Sequence, residues 1–321
     1  MNNGGSSGGS VGERNRSMIL NADQCESRWL AGDRGRFLLN SDHTGGAMAL
    51  CEVEVFPGGG PPPHMHTRED EMFYVVDGDL EFVKDQATFR ARKGFATALP
   101  KNVTHTFKNV GSRPARLVVL AMPGGFDRFS MAASQPWTGP RAPTNEDIEK
   151  LLAACANFGI EMRPDWRPTK TIEPHVDDRE LWVMGNRIKL KVTSHDTGGQ
   201  ASVCEITTPP NNGVPVHRHL VEDEMFYVLE GTCEFDVECE KSSVSAGGFV
   251  YVPKGTAHGF SNRGKTSVKM LDYHTPGGFE NFFLEIGQPC KDATKPPAPA
   301  PVDMARVKEI FRKHGMTLAG A

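Results

Sequence analysis

The sequence repeats itself once, without a gap, at a separation of 153 residues. Trp29 recurs as Trp182 and Gly32 as Gly185. TGG at 44–46 returns at 197–199, EDEMFY at 69–74 returns at 222–227, and PGGF at 123–126 returns at 276–279. About 105 residues superpose in this register. Such a chain folds as two like domains, and 321 residues let each bury its own core. After each copy comes a proline-rich connector and a helix-patterned segment. In the first, Ile148, Leu151, Leu152 and Cys155 share a face and Gly159 is the stop; in the second, Val307, Ile310 and Phe311 share a face before Gly315. The expected organisation is a disordered tail over 1–24, a first domain with its helix over 25–162, a linker over 163–176 and a second domain with its helix over 177–321.

Within each copy the apolar runs are short, rich in Val, Phe, Tyr and Thr, and broken by Gly, Pro, Asn and Asp, as in MALCEVEVF, EMFYVVDGDLEFV and ARLVVLAMP. Regular short strands with turn signals imply an all-β fold, a small barrel or sandwich in each copy. A net charge of −4 argues against a nucleic-acid or anionic-membrane surface, either of which needs a basic patch. No apolar run is long enough to span a bilayer. The start, MNNGGSSGGSVGERNR, has no hydrophobic stretch behind it and reads as a tail rather than a signal peptide. Seven scattered cysteines without CxxC spacing read as reduced thiols of a cytoplasmic protein.

His64 and His66, at i and i+2, face the same way if they lie in a strand. Glu71 follows at odd parity, so the chain must turn or bulge through Thr67–Asp70 to present it to the same side. His105 comes after a proline turn suited to a hairpin. Three imidazoles and a carboxylate make a mixed nitrogen and oxygen site for a first-row divalent metal with open positions. The second copy repeats the set as His217, His219, Glu224 and His258. A single buried histidine is more often a hydrogen-bonded core residue than a ligand. Four such polar groups kept twice at one spacing, eight in all, have no such explanation, because burying them unpaired is costly. His43, His175, His195, His274 and His314 are read as ordinary histidines, and the cysteines likewise as structural.

These residues resemble the cupin superfamily, and the two-domain bicupins in particular. Gly58, His64, His66, Glu71 and Gly78 match its first motif, and Gly94, Pro100, His105 and Asn109 its second, with Asn102 in place of a glycine. In the second copy His217, His219, Glu224 and Gly231 match the first motif with Asn211 at the leading glycine, and Gly247, Pro253, Gly255, His258 and Asn262 match the second. The departures fall at turns, where Asn tolerates the left-handed conformation. The resemblance implies tandem double-stranded β-helix (jelly-roll) barrels with short flanking helices, and one divalent metal per barrel: iron first, with manganese, nickel, cobalt, copper or zinc also compatible.

The same barrel hosts many activities. Ligands retained in both copies speak against a storage protein. Bicupins acting on oxalate usually space the second histidine and the glutamate by three residues and carry an arginine three positions before the first histidine. Here four residues intervene, TRED and LVED, and the arginine positions hold Pro61 and Val214. Four intervening residues are similar instead to the quercetin 2,3-dioxygenase-like bicupins. That resemblance implies a small-molecule substrate and dioxygen as partners, oxidative cleavage of an enolisable, flavonol-like aromatic, and Glu71 and Glu224 as catalytic bases as well as ligands. A homodimer is a compatible assembly. Parity places Phe73 beside Glu71 and Phe107 beside His105, with Phe226 and Phe260 as counterparts. Phe56 and Val103 would make the first pocket the more apolar, against Pro209 and Thr256 in the second. A non-redox metalloenzyme (isomerase or decarboxylase) and a metal-dependent small-molecule binding protein remain the alternatives.

Overall fold

The structure, a computed structural model, describes residues 16–177, 179–295, 297 and 304–318; residues 1–15 of the expected tail lie outside that range. Each half is a two-layered jelly roll. The first pairs a seven-stranded sheet, centred on Ala49–Val55, Ala115–Met122 and Asp70–Asp77, with a six-stranded sheet containing His64–His66, His105–Asn109 and Asp79–Lys84. The second pairs an eight-stranded sheet, centred on Ser202–Thr208, Val268–Thr275 and Asp223–Glu230, with a five-stranded sheet containing Gly213–His219, His258–Ser261 and Thr232–Val237. The two sheets of a half face each other and are not hydrogen-bonded into closed barrels. Period-two alternation sets the faces: along Ala87–Arg92, Ala87, Phe89 and Ala91 are buried while Arg90 and Arg92 are exposed.

The helix-patterned segments form α2 (Asn145–Phe158) and α4 (Met304–Lys313), each jelly roll also carrying a shorter helix, α1 (Phe126–Ala133) and α3 (Glu280–Ile286). Thr144 caps α2 in a reciprocal box with Asp147, and Gly159 ends it in the left-handed conformation. Past its stop the chain turns straight back onto the histidine strand: Ile160–Met162 pairs with His64–His66, and Met316–Leu318 pairs with His217–His219. The helices are therefore tied to the ligand-bearing strands.

The halves share a buried seam that includes Leu38, Leu120, Val118, Val203, Leu271 and Tyr273. Two tyrosines related by the repeat cross it reciprocally. Tyr74 Oη donates to Glu205 at 2.8 Å, and Tyr227 Oη donates to Glu52. Arg36 grips Glu52 with two nitrogens and Lys191 pairs with Glu205, so neither the buried Glu52 nor the half-buried Glu205 is left unpartnered.

Two boundaries differ from the sequence expectation. The tail ends sooner, because Met18–Leu20 adds an edge strand to the second half, pairing with Phe249–Tyr251. The 163–176 segment is not a free linker: Lys170–Thr171 runs beside Ala87–Thr88 of the first half, and Arg163 N donates to Pro63 O. Open sheet edges offer unpaired N–H and C=O groups, and these segments satisfy them.

Candidate metal centre

His64 and His105 stand directly opposite each other on neighbouring antiparallel strands of the six-stranded sheet, with His66 two residues along. Glu71 comes from the other sheet, opposite Ala121 and Leu99. The odd spacing between His66 and Glu71 is thus resolved by the chain changing sheets through Thr67–Glu69, rather than by a bulge within one strand. The ligand atoms of all four residues lie within 4.8 Å of one another, and all four side chains are buried. Glu71 Oε2 is 2.9 Å from His105 Nε2 and 3.4 Å from His66 Nε2. Two atoms each about 2.1 Å from one ion stand about 3.0 Å apart at a right angle and about 3.4 Å apart at a tetrahedral angle. The second half assembles His217, His219, Glu224 and His258 in the same way, with His217 Nε2 3.1 Å and Glu224 Oε2 3.6 Å from His219 Nε2.

The ring orientations fit a metal. His64 Nδ1 is 3.0 Å from Pro62 O, His105 Nδ1 3.0 Å from Val103 O, His217 Nδ1 2.9 Å from Pro215 O and His258 Nδ1 2.9 Å from Thr256 O. A carbonyl oxygen only accepts, so each Nδ1 carries the proton and each Nε2 presents a lone pair inward. His66 and His219 direct Nδ1 at Glu69 and Glu222, at 3.5 and 3.4 Å. His66 Nε2, His105 Nε2 and Glu71 Oε2 are buried without a hydrogen-bond partner. Burial and the neighbouring imidazoles push His64 and His217 down to about 3, so both stay neutral and able to ligate. Burial alone would raise Glu71, but His66 and His105 hold it down at about 2, ionised. Turn chemistry supports the frame: Asn102 and Asn211 have φ of 64° and 60°, where their repeat partners Gly255 and Gly58 have 83° and 77°.

Above the ligands the halves diverge. The first holds a cavity of about 420 Å³ whose walls include His64, His66, Glu71, Phe73, Phe107 and Phe126, with Ile148 and Leu152 of α2 at its exposed rim. The second holds about 50 Å³, bounded by His217, His219, Glu224, Phe260, Phe283 and Phe311. Gly35 and Ser130 line the first cavity where Ile188 and Phe283 fill the second. Three of the six expected lining residues, Phe73, Phe107 and Phe260, face these cavities. Phe56 instead stacks on Trp137, Val103 spends its carbonyl on His105 Nδ1, and Phe226 packs beneath the ligands against Phe235 and Phe260.

His274 is not an ordinary histidine. It stands opposite Glu224 across the strand pair, where the first half has Ala121 opposite Glu71. Asp272, two residues earlier on the same face, takes the place of Val119. Both are buried, and Phe279 stacks on the His274 ring at 4.4 Å. The signal was in the repeat itself: two apolar residues of one copy become ionisable in the other, on the strand facing the glutamate. Glu69 and Glu222, quoted within EDEMFY, were likewise passed over as partners of the central histidines.

All seven cysteines are free: Cys51, Cys155, Cys204 and Cys233 are buried, Cys25 and Cys290 half-buried, and Cys239 exposed. Among the described residues no helix is long and apolar enough to cross a membrane.

The pattern of the Cupin domain family matches residues 51–121 and again residues 204–274. Quercetin 2,3-dioxygenase of Bacillus subtilis is 24% identical over 292 residues, covering 84% of this chain and 86% of that protein. Among solved structures, a variant of B. subtilis oxalate decarboxylase superposes with a TM-score of 0.59 at 16% identity, covering 84% of this chain and 79% of that one. The Lactobacillus farciminis oxalate decarboxylase formate complex gives 0.59 at 13% identity, covering 81% and 86%. At such identities the superpositions speak for the fold alone. With both jelly rolls, both quartets and both domain matches related by one repeat, the chain is a bicupin: two cupin domains in tandem.

Proposed function

We propose that this bicupin is a metal-dependent dioxygenase of quercetinase type, cleaving an enolisable, flavonol-like aromatic in its N-terminal domain. The observation that carries the reading is the apolar cavity of about 420 Å³ that ends on His64, His66 and Glu71. That volume falls in the range of small-molecule sites, roughly 300–1,000 Å³. Phe73 and Phe107 give it flat, apolar walls, which suit an aromatic ring system and keep water from the reacting carbon. The likeness to quercetin 2,3-dioxygenase over most of both chains supports the same reading.

His64, His66, His105 and Glu71 would hold the ion, with iron, manganese or another first-row divalent metal fitting the donor set. When bound, the ion supplies Lewis acidity that lowers the pKa of an enol hydroxyl. The chain's own residues do the rest. Glu71, ionised and buried, stands where it can take the enol proton on Oε2. Pro62 and Val103 carbonyls fix the rings of His64 and His105, so the substrate meets a preformed face. Overall, flavonol and dioxygen would give a ring-opened ester and carbon monoxide. An oxalate-type reaction fits the pocket poorly. Pro61 and Val214 stand at the expected arginine positions, and Arg28, on the cavity wall, is bonded to Ser134 and Glu26.

The test is an oxygen electrode with carbon monoxide detection. Adding a flavonol to metal-loaded protein should consume one dioxygen per carbon monoxide released. Turnover of a substrate without oxygen uptake would replace the reading with the non-redox one, and tight binding without turnover in air would replace it with a binding role.

A further inference from the structure

We propose that the C-terminal domain binds a second divalent cation beside the first, held by Glu224 Oε1, Asp272 and His274, with Glu224 bridging the two ions. The inference rests on the four-ligand site and is independent of the substrate assigned to the N-terminal domain.

Glu224 is shared by two groups of ligand atoms. Its Oε2 faces His219 and His258, while its Oε1 is 3.4 Å from His274 Nε2. His274 Nε2 is in turn 3.6 Å from Asp272 Oδ2, and the three ligand atoms lie within 4.8 Å of one another. All three residues are buried, and His274 Nε2 and Asp272 Oδ1 have no hydrogen-bond partner. Something belongs between them, because buried polar atoms are seldom left unmatched.

The separations discriminate between the candidates. A proton shared by an imidazole and a carboxylate draws nitrogen and oxygen to about 2.7–2.9 Å. Ligands on a small divalent ion, each at about 2.0–2.2 Å and at a tetrahedral angle, stand about 3.4 Å apart. Distances of 3.4 and 3.6 Å match the second arrangement. Two oxygens and one nitrogen form a harder donor set than the three-histidine site, suited to manganese, iron or zinc. Cys204 lies 3.8 Å from Asp272 Oδ2 and is not among the three residues whose ligand atoms converge here. The N-terminal domain serves as an internal control. It has Cys51 at the cysteine's position, with Val119 and Ala121 for Asp272 and His274, and among the described residues no second donor set surrounds Glu71.

Full-length protein would be stripped of metal and titrated with manganese(II) under equilibrium dialysis, alongside the variant Asp272→Val/His274→Ala, which restores the residues of the first domain. The expected result is saturation at three ions per chain for the wild type and two for the variant. Wild-type protein should also show the exchange-coupled resonance of a manganese pair roughly 3.5–4 Å apart. Saturation of the wild type at two ions, with uncoupled resonance, would overturn the proposal and leave a protonated His274 between the carboxylates. So would a third ion that the variant retains. Because the resonance is read on the wild type, the test stands even if the variant folds poorly; Asp272→Asn then serves as the milder replacement, expected to lose the coupled signal.

Discussion

The two domains hold the same quartet of ligands on the same pair of sheets, yet about 420 Å³ opens above one and about 50 Å³ above the other. The difference arises in the walls. Ile188 and Phe283 occupy space that Gly35 and Ser130 leave free, and Asp272 and His274 bring polarity where Val119 and Ala121 bring none. A duplicated metal site thus need not be a duplicated active site. What the ligands can do is set by what is allowed to approach them.

The strongest way to break the comparison is to remove one quartet at a time. His64→Ala should abolish turnover, whereas His217→Ala should lower metal content and thermal stability while leaving most of the activity per remaining ion. Metal analysis beside steady-state kinetics reads both, and the reverse pattern would move the chemistry to the C-terminal domain. Next in size is Glu71→Gln. An amide can still offer an oxygen to the ion but cannot take a proton, so turnover should fall by about 10²–10⁴ while metal content changes little. Parallel loss of metal and activity would make Glu71 a ligand only.

Filling the open pocket should act more gently. A Cβ at Gly35 meets nothing within 4 Å and its backbone is not left-handed, so Gly35→Ile can place the second domain's side chain in the first cavity. We expect kcat/KM to drop by about 10–100-fold with metal content unchanged. Stability should rise slightly, since glycine inside a strand costs about 0.5–1 kcal/mol. An unchanged KM and kcat would mean that the substrate does not use this wall.

The smallest effect is a pH difference between the halves. Asp33, on the wall of the first cavity, has Asn186 as its repeat partner. Burial pushes the Asp33 carboxyl up to about 7, against the backbone N–H groups of Phe56 and Gly60. The folded chain keeps a proton there that the unfolded chain releases above about pH 4. Its contribution to stability is therefore full below pH 4 and lost as pH rises to about 7. Asp33→Asn should gain on the wild type across that window, by on the order of a few degrees in Tm, and hold a constant difference above it. A difference independent of pH would show Asp33 to be ionised throughout.

The convergence of the eight ligands was legible because strand parity and a gapless repeat are local properties, readable over a dozen residues and checked by a second copy. The left-handed turns at Asn102 and Asn211 were legible for the same reason. Cavity size was not. It depends on Gly35, Ser130 and α2 meeting from distant parts of the chain, and no window of sequence contains them all. Parity also misplaced Phe56 and Val103, because Phe56 follows the end of one strand and Val103 sits in the turn before another, where the alternation does not apply. The pairing of Met18–Leu20 with Phe249–Tyr251 spans more than two hundred residues, and a short apolar run beside a glycine-rich tail gave no hint of its partner.

The reciprocal Tyr74–Glu205 and Tyr227–Glu52 bonds act on the lifetime of the protein. Opening either half would strip a seam carboxylate of its tyrosine and leave its cation partner to hold it alone. The halves are thereby bound into one cooperative unit, whose escape from the native state requires both to let go. An ion in the C-terminal domain, which binds only the native form, lowers the population of every open state of the whole chain. A metal in one half can in this way govern how long the other half persists, as ballast for a site some distance away.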